Sequence, residues 1–533
     1  MPLIAVVLAA LLQAAPPPSP PPLTGPLPSP SPAATAPPGQ LIAEPSALNL
    51  HPGAVQIVVV RNASGAVRAS LDQAMGSVSV DPATNEITLT AGATPARGTL
   101  IISDASGAST QISLRIALDA GSVPAGLSLR VTGSPIDPSW LRSAIAKAVT
   151  QQSRLQPGVT PQIGDFGVPS LSANRSVAVS VSVHLPGGDQ YFDVDTVANV
   201  SLTQVPVAPF APLWLLYDDD PERLNAEGIT YRNTVTAGAP ATLYYYHQNG
   251  QDPRRLLVVL RPSSSNGATV QLIDSSAGPN QDVMSVGHAV SREFLLAKRA
   301  NQGLVVDLPP AQPYVADQFA LNPLDGAAGS IGINVLAGGP VEVSVVSAVA
   351  SGTDPDIGSL LSQPRLPGDG HNRTGVFRID RYAQDTIPYT VGGDDASLLY
   401  GATTPPPASD AVAGHDYGDY GIVRSVVFHA SNPTNQPATI YLYEQPQGGV
   451  VRSSFLVNGS LVQLGCARLP NRYQIGQPFE LSGGQSSTIE LETMTDGGSN
   501  YPLEVGLTQT APTPDTPSMF APDGCFPKPQ TSL

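Results

Sequence analysis

The segment VSVDPATNEITLTAG, residues 78–92, decides the fold class of this chain. Apolar and polar residues alternate on both sides of the turn at Asp81-Pro82, as in two half-buried β-strands. Outward from this segment, similar short alternating runs fill residues 41–117, separated by turn residues such as Pro52-Gly53. Several such strands within one domain predict a β-sandwich. The apolar members of the runs are expected on its buried side: Val55, Ile57, Val59, Leu100, Ile102, Ile112, Leu114 and Ile116.

Four stretches of this region carry a family resemblance: PSALNLHPG (45–53), VVVRNASG (58–65), the segment 78–92 and TLIISDASG (99–107). Residues 41–117 therefore resemble the bacterial Ig-like domains of surface proteins. The resemblance rests on hydrophobic and turn positions, and the cysteines and tryptophan of true immunoglobulin domains are missing. It implies a structural scaffold and identifies no binding residue.

The composition extends the β interpretation to the whole chain of 533 residues, which is long enough for several domains. Charged residues make up 13% of it, and it contains 50 glycines and 56 prolines. Proline blocks helix interiors and glycine weakens them, so this composition disfavours long helices. The sequence predicts a mainly β protein of tandem Ig-like β-sandwich domains with one small α+β unit.

The small α+β unit is predicted at residues 118–206. Asp137 is a suitable N-cap and Pro138 a suitable first residue for a helix that ends near Gln156. Two alternating strands follow, the first at Val177–Val183 and the second from Phe192.

The remaining chain is predicted to hold two β-sandwiches, at 207–350 and 371–510, separated by a linker at 351–370 and followed by a tail at 511–533. The segment Leu256–Ile273 resembles Val426–Tyr443: each has a β-run, a polar turn and a second alternating run. The second sandwich is therefore a possible duplicate of the first.

The N-terminus indicates export. Leu3 to Ala15 form an apolar run, so residues 1–15 resemble a signal peptide, although no Lys or Arg precedes the run and Pro16 follows it. This run is too short for a permanent membrane span, and no transmembrane segment is expected in the mature chain. Residues 16–40, with twelve prolines, are typical of an extended linker. These features predict an extracellular, periplasmic or cell-surface location. They do not determine the position of the true start codon, or whether and where the signal segment is cleaved.

Charge and motifs exclude several functions. The net charge of −16 opposes nucleic-acid binding. The seven histidines are too far apart in sequence for local metal pairs, and nucleophile-elbow, nucleotide-binding and Cys-x-x-Cys motifs are absent. We therefore predict no catalytic and no cofactor-binding residues, and expect a protein that is not an enzyme.

Four weaker features remain. Asp218, Asp219 and Asp220 are a candidate Ca²⁺ site, although a solvated loop is the favoured interpretation. Tyr244-Tyr245-Tyr246-His247 could stack on sugars, but ordinary sheet packing is favoured. Tyr417 and Tyr420 lie in a Gly-containing loop, predicted to be flexible, that could contact a ligand. Cys466 and Cys525 are predicted to form a disulfide in an oxidising compartment.

These features predict an exported, non-catalytic, multi-domain β-sandwich protein of the cell envelope or extracellular space, structural, adhesive or partner-binding. Its partner is an unidentified protein or glycan. A carbohydrate-binding accessory protein is one alternative, but sugar-binding faces favour tryptophan and the chain has two. A secreted hydrolase with a dispersed active site is the other.

Overall fold

The computed structural model describes residues 40–350, 355–408, 414–514 and 525. The signal-like segment, nearly all of the Pro-rich linker and most of the tail lie outside these residues. The chain divides into two compact units, Met1–Leu118 and Asp119–Leu533. Both are built mainly from β-strands, as the alternating sequence predicts.

The first unit is a two-sheet sandwich with strand orders β1-β3-β6-β5 and β2-β8-β7-β4. Its strands are β1 (Ile42–Glu44), β2 (Ala47–Leu50), β3 (Val55–Arg61), β4 (Arg68–Ser70), β5 (Gly76–Val80), β6 (Ile87–Ala91), β7 (Ala96–Ser103) and β8 (Ser109–Ile116). A single 3₁₀ turn at Gln73–Met75 precedes β5. The β-sandwich predicted for 41–117 is therefore present.

Strand β3 faces the opposite way from the prediction. Val58, which lies between the predicted inward residues, is completely buried in the core. Val55, Ile57 and Val59 instead point outward and are 63%, 52% and 38% exposed. A shift of one residue moves every side chain of a strand to the opposite face of the sheet. In VQIVVVR both the odd-numbered and the even-numbered positions include apolar residues, so the alternation of residue types does not determine which side of β3 is buried.

The second unit begins with the elements β9 (Gly121–Ser122), β10 (Gly126–Thr132), α1 (Pro138–Gln152), β11 (Arg154–Leu155), β12 (Gln162–Ile163), β13 (Ser176–Leu185), β14 (Val194–Gln204), β15 (Trp214–Asp218), β16 (Arg223–Leu224), β17 (Gly228–Val235), β18 (Ala241–Asn249), β19 (Arg254–Pro262) and β20 (Ala268–Asn280). It continues with α2 (Val283–Arg299), β21 (Gly303–Leu308), β22 (Tyr314–Leu321), β23 (Gly326–Gly338), β24 (Val341–Val349), α3 (Ile357–Leu360) and β25 (Thr374–Arg378).

One eleven-stranded sheet dominates this part, in the order β12-β13-β14-β10-β21-β20-β23-β18-β15-β25, with β16 beside β18. It joins strands assigned by sequence to the α+β unit at 118–206 with strands assigned to the sandwich at 207–350. The link is the antiparallel pairing of β10 with β21. Local patterns could not indicate this pairing, because it connects strands about 170 residues apart in sequence.

Two helices and a second sheet cover the large sheet. Helix α1 begins after Asp137, whose carboxylate accepts hydrogen bonds from two backbone N–H groups, as predicted. The sheet β17-β24-β19-β22 packs on one face of the large sheet. Helix α2 packs on the other face through Val286, Val290 and Phe294. Its seventeen residues contradict the expectation that long helices are disfavoured, because an average composition does not limit one local segment.

The C-terminal sandwich is formed by β26 (Gln384–Thr390), β27 (Ala396–Tyr400), β28 (Val423–Ser431), β29 (Ala438–Pro446), β30 (Val451–Val457), β31 (Ser460–Ala467), β32 (Tyr473–Gln474), β33 (Phe479–Leu481), β34 (Ser486–Thr495) and β35 (Leu503–Thr508). Its sheets are β26-β28-β34-β30-β31 and β27-β35-β29-β32, with β33 beside β29. Their facing apolar side chains form one core. Helix α2 also packs on β30 and β34, so it lies between this sandwich and the large sheet.

The two similar segments are not hairpins. Strand β19 pairs with β22 and β24, whereas β20 lies in the large sheet. Likewise β28 and β29 lie in different sheets of the C-terminal sandwich. Both segments therefore cross from one sheet to another, and the duplication stays a hypothesis.

The predicted disulfide between Cys466 and Cys525 is present, with both cysteines buried. It ties residue 525 to strand β31, beside Met284 at the start of α2. Among the helices in the described part of the chain, none is long and apolar enough to cross a membrane.

Candidate functional site

Parallel pairing of β15 with β18 brings two of the sequence candidates together. Tyr217 lies opposite Tyr244, and their ring centroids are 5.8 Å apart. Asp219, the residue after β15, lies on the same side as Tyr217, and its Oδ2 accepts a hydrogen bond of 3.3 Å from the Tyr217 hydroxyl. The adjacent Asp218 points to the opposite face of the sheet.

The loop before β28 adds the third candidate. Tyr420 lies against Tyr244, with ring centroids 6.0 Å apart, and Asp416 Oδ1 accepts the backbone N–H of Tyr420 at 2.9 Å. Tyr217, Asp219, Tyr244, Asp416 and Tyr420 are called the acid–tyrosine cluster below. Three sequence features separated by up to about 200 residues therefore meet at one place.

The cluster is strongly desolvated. Burial, and then the charges of its neighbours, raises the pKa of both Asp219 and Asp416 well above the ordinary range. Arg373, whose Nη1 is 3.5 Å from Asp219 Oδ2, opposes this shift in part. Asp219 Oδ1 and Asp416 Oδ2 accept no hydrogen bond from any described residue. A carboxyl group in such surroundings favours its neutral, protonated form.

Shifted carboxyl pKa values are typical of catalytic acids, but this arrangement is closed to a substrate. The side chains of Tyr217 and Asp416 are completely buried, and Asp219 is 6% exposed. A general acid must reach the atom that it protonates, within about 3 Å. In this conformation the cluster therefore holds the large sheet against the loop at 414–421.

The other face of the same strands carries a second buried polar group. Asp218 Oδ2 lies 3.0 Å from His247 Nε2 and accepts a 2.7 Å hydrogen bond from Thr230 Oγ1. The other ring nitrogen, Nδ1, faces the carbonyl oxygen of Pro221 at 2.9 Å. Burial lowers the pKa of His247, but the Asp218 carboxylate outweighs it and the net shift is upward. Since both nitrogens face oxygens, His247 is held as a cation that donates two hydrogen bonds.

The acidic triplet is not the solvated loop favoured by the sequence interpretation. All three side chains are buried, because β15 continues through Asp218 and the segment 368–373 covers the next two residues. Asp220 Oδ1 accepts the backbone N–H of Asp369 at 2.6 Å, away from its two neighbours. The carboxylates thus point in three directions. Within the described ranges, no group of three or more acidic, His or Cys side chains could hold a metal ion.

We expect calcium to leave thermal stability unchanged. Specific Ca²⁺ binding needs six to eight converging oxygens, which the divergent triplet does not supply. Melting curves recorded in millimolar CaCl₂ and in excess chelator should superimpose within about 1 °C. A calcium-dependent rise of several degrees that disappears in Asp219→Asn would contradict this expectation, and Asp356→Asn, outside the triplet, is the control.

The loop containing Tyr417 and Tyr420 is held in place rather than flexible as predicted. Asp419 accepts hydrogen bonds from the Tyr382 hydroxyl at 2.8 Å and from the Gly401 backbone at 3.2 Å. Tyr420 donates its hydroxyl proton to the carbonyl oxygen of Ser499 and is half-buried. Tyr417 alone of the pair is available to a ligand, since its side chain is 62% exposed.

Helix α2 contributes a histidine network that the sequence analysis did not identify. His288 Nδ1 contacts Asp496 Oδ2, and Ser291 also donates a hydrogen bond to Asp496. In a Ser-His-Asp triad the serine bonds the ring nitrogen opposite the carboxylate. Here that nitrogen, Nε2, lies 3.0 Å from the amide oxygen of Gln463, and Ser454 is instead near Nδ1. The network therefore lacks hydrolase geometry and connects α2 to the C-terminal sandwich.

No protein-family model matches the chain, and no curated protein matches it. Drosophila N-cadherin EC1-4 matches 30% of this chain and 47% of its own, with 13% identity and a TM-score of 0.15. The chain thus covers about half of that structure. A structure of carbohydrate-binding modules from the β-sandwich superfamily matches 57% of this chain and 95% of its own, with 10% identity and a TM-score of 0.13. The Clostridium perfringens ZmpB structure, an M60 catalytic domain with two CBM51 domains, matches 81% and 51%, with 7% identity and a TM-score of 0.14. Scores this low give no basis for transferring a function to this chain.

Proposed function

We propose that this chain is an exported, non-catalytic β-sandwich protein that binds a protein partner through its first unit. The observation that carries the proposal is the exposed apolar row on β3, formed by Val55, Ile57 and Val59. Side chains of this type gain about 1.5–3 kcal/mol each when they are fully buried. A row of three along one strand therefore favours a partner that covers it.

The surroundings of this row favour a protein over a glycan. On the neighbouring strand β6, Thr88 lies opposite Ile57 and Thr90 opposite Val55. The next strand continues the face with serines, Ser79 opposite Thr88 and Ser77 opposite Thr90. This surface, called the β3 face, consists of Val55, Ile57, Val59, Thr88, Thr90, Ser77 and Ser79. It contains no aromatic ring on which a sugar could stack. The charges beside it, Glu44 opposite Val59 and Arg61 next after Val59 on this side of β3, pair with each other at 3.1 Å, so a protein surface of apolar and small polar side chains is its best complement.

Two other observations support the remaining parts of the proposal. The Cys466–Cys525 disulfide is expected in an oxidising compartment and rarely persists in the cytosol. The acid–tyrosine cluster, with Asp219 and Asp416, and the His288 network are closed to a substrate. The disulfide favours a location outside the cytoplasm, and the closed sites favour a role in binding over one in catalysis.

Site-specific photo-crosslinking of the full chain tests the proposal. A photoreactive phenylalanine analogue replaces Ile57 in a tagged copy produced in intact cells of its own host, with Leu399 as the matched control. Leu399 is similarly exposed, at 48%, but lies in the second unit. We expect one discrete protein adduct at position 57, recovered outside the cytoplasm and absent at position 399.

The adduct should disappear when Val55→Lys and Val59→Lys are added, because two charges on the β3 face would have to be desolvated on binding. Circular dichroism and the melting temperature of the double variant establish that the unit still folds. No adduct, equal adducts at both positions, or a carbohydrate adduct identified by mass spectrometry would each refute the proposal.

A further inference from the structure

A cavity of about 290 Å³ opens where the start of β15, the C-terminal end of α2 and the segment before β26 meet. Its floor is closed, since Phe294 is completely buried and Thr242 is 1% exposed. The half-buried side chains of Leu213, Ala383 and Val423 form its apolar walls. The cavity lies apart from the acid–tyrosine cluster, none of whose residues lines it.

One cation, Lys298, reaches this cavity from the last turn of α2. The carboxylate oxygen nearest to its Nζ among the described residues is Oε2 of Glu492, at 4.0 Å, and Nζ makes no hydrogen bond with the described residues. Oε1 of Glu492 already binds Arg299 at 2.5 Å. Burial, with a smaller contribution from Arg299, lowers the pKa of Lys298, and Glu492 counteracts this only in part. The Lys298 ammonium is therefore partly desolvated without a full counter-charge.

The acid that also lines the cavity is already neutralised. Asp380 Oδ1 accepts a 3.0 Å hydrogen bond from Nε of Arg378, and Asp380 Oδ2 accepts one of 3.2 Å from the same guanidinium. A bidentate pair of this kind satisfies both charges. Lys298 thus sets the charge preference of a cavity with apolar walls, and that preference is for an anion.

We propose that this cavity, the Lys298 pocket, binds a small amphiphilic carboxylate. The carboxylate would accept hydrogen bonds from Lys298 Nζ, and an aliphatic or aromatic tail would pack against the accessible side chains of Leu213, Ala383 and Val423. An apolar cavity of about 150 Å³ holds a benzene ring, so this one accommodates roughly ten to twelve non-hydrogen atoms. Medium-chain fatty acids and short arylalkanoic acids have this size.

Calorimetric titration of the full chain with octanoate tests the proposal, with octan-1-ol and octylammonium as ligands of matched tail length. We expect octanoate to bind at least ten times more tightly than either. Lys298→Met, an unbranched apolar replacement, should reduce octanoate affinity at least tenfold and leave the affinity for octan-1-ol unchanged. Ala211→Trp, at the exposed rim, should weaken both ligands by filling the entrance. Arg292→Met, on the same helix but outside the cavity, is the control.

Should Lys298→Met fail to fold, Lys298→Gln replaces it, and the wild-type protein provides an independent test by pH. Octanoate affinity should fall as Lys298 loses its proton, at a pH below the ordinary lysine pKa of 10.5, while octan-1-ol affinity stays constant. The proposal is overturned if octanoate binds no more tightly than octan-1-ol, if neutral variants keep octanoate affinity, or if octylammonium is preferred.

Discussion

Replacing Cys466 and Cys525 together by serine lowers the free energy of unfolding of the second unit by about 4 kcal/mol. The cysteines are 59 residues apart. Closing a loop of that length removes unfolded-state entropy worth about 4 kcal/mol at 25 °C. The native contacts around the bond are extensive, since Arg452 Nε donates to Cys525 Sγ at 2.9 Å and Arg468 donates to the Cys525 carbonyl at 2.6 Å.

Tryptophan fluorescence during urea unfolding measures this loss, because the two tryptophans, Trp140 and Trp214, both belong to the second unit. A reductant should shift the wild-type transition to lower urea and leave the double serine variant unchanged. The Cys466→Ala/Cys525→Ala variant separates the loss of the bond from the cost of burying two hydroxyls. Equal stability of oxidised wild type and both variants, or two free thiols by alkylation and mass spectrometry, would contradict the expectation.

The sequence was sufficient where one local signal determines one element. Asp137-Pro138 predicts the start of α1, because a carboxylate cap and a fixed proline φ favour a first helical turn in any context. The alternation around Asp81-Pro82 likewise predicts β5, β6 and the turn between them. Equivalent local signals mark α2, namely the cap Asp282 and an apolar face, and the average composition of the chain does not reflect them.

The β3 orientation and the acid–tyrosine cluster required tertiary information. Strand β3 has valines at both odd-numbered and even-numbered positions, so the sequence allows either side of the strand to face the core. Its pairing with β6 determines which side is buried. Asp219 and Asp416 meet through the packing of a loop on a sheet, and no spacing rule links residues that far apart. The burial of the acidic triplet has the same cause, because the covering segment at 368–373 is far from it in sequence.

Glu444 is expected to make the protein less stable as pH rises from 4.5 to 8. It lies on β29 inside the C-terminal sandwich, completely buried, and neither carboxylate oxygen has a hydrogen-bond partner in the described part of the chain. Burial raises its pKa from 4.5 to about 8; nearby Ser453 opposes the shift and Asp496 adds to it. Because the folded state holds the proton more tightly, this stabilisation is complete below pH 4.5 and is lost as pH approaches 8.

The loss amounts to on the order of 5 kcal/mol across that interval. Glu444→Gln keeps the shape of the side chain and cannot ionise. Its free energy of unfolding should therefore not show this loss as pH rises, and should exceed that of wild type above pH 8. Urea unfolding at closely spaced pH values measures the difference in free energy of unfolding between the two proteins, and the contributions of the other titrating groups cancel in that difference. Glu490→Gln, an exposed glutamate on β34, should follow the wild-type curve. Parallel curves for wild type and Glu444→Gln would show that the Glu444 carboxyl ionises inside the sandwich without a cost to folding.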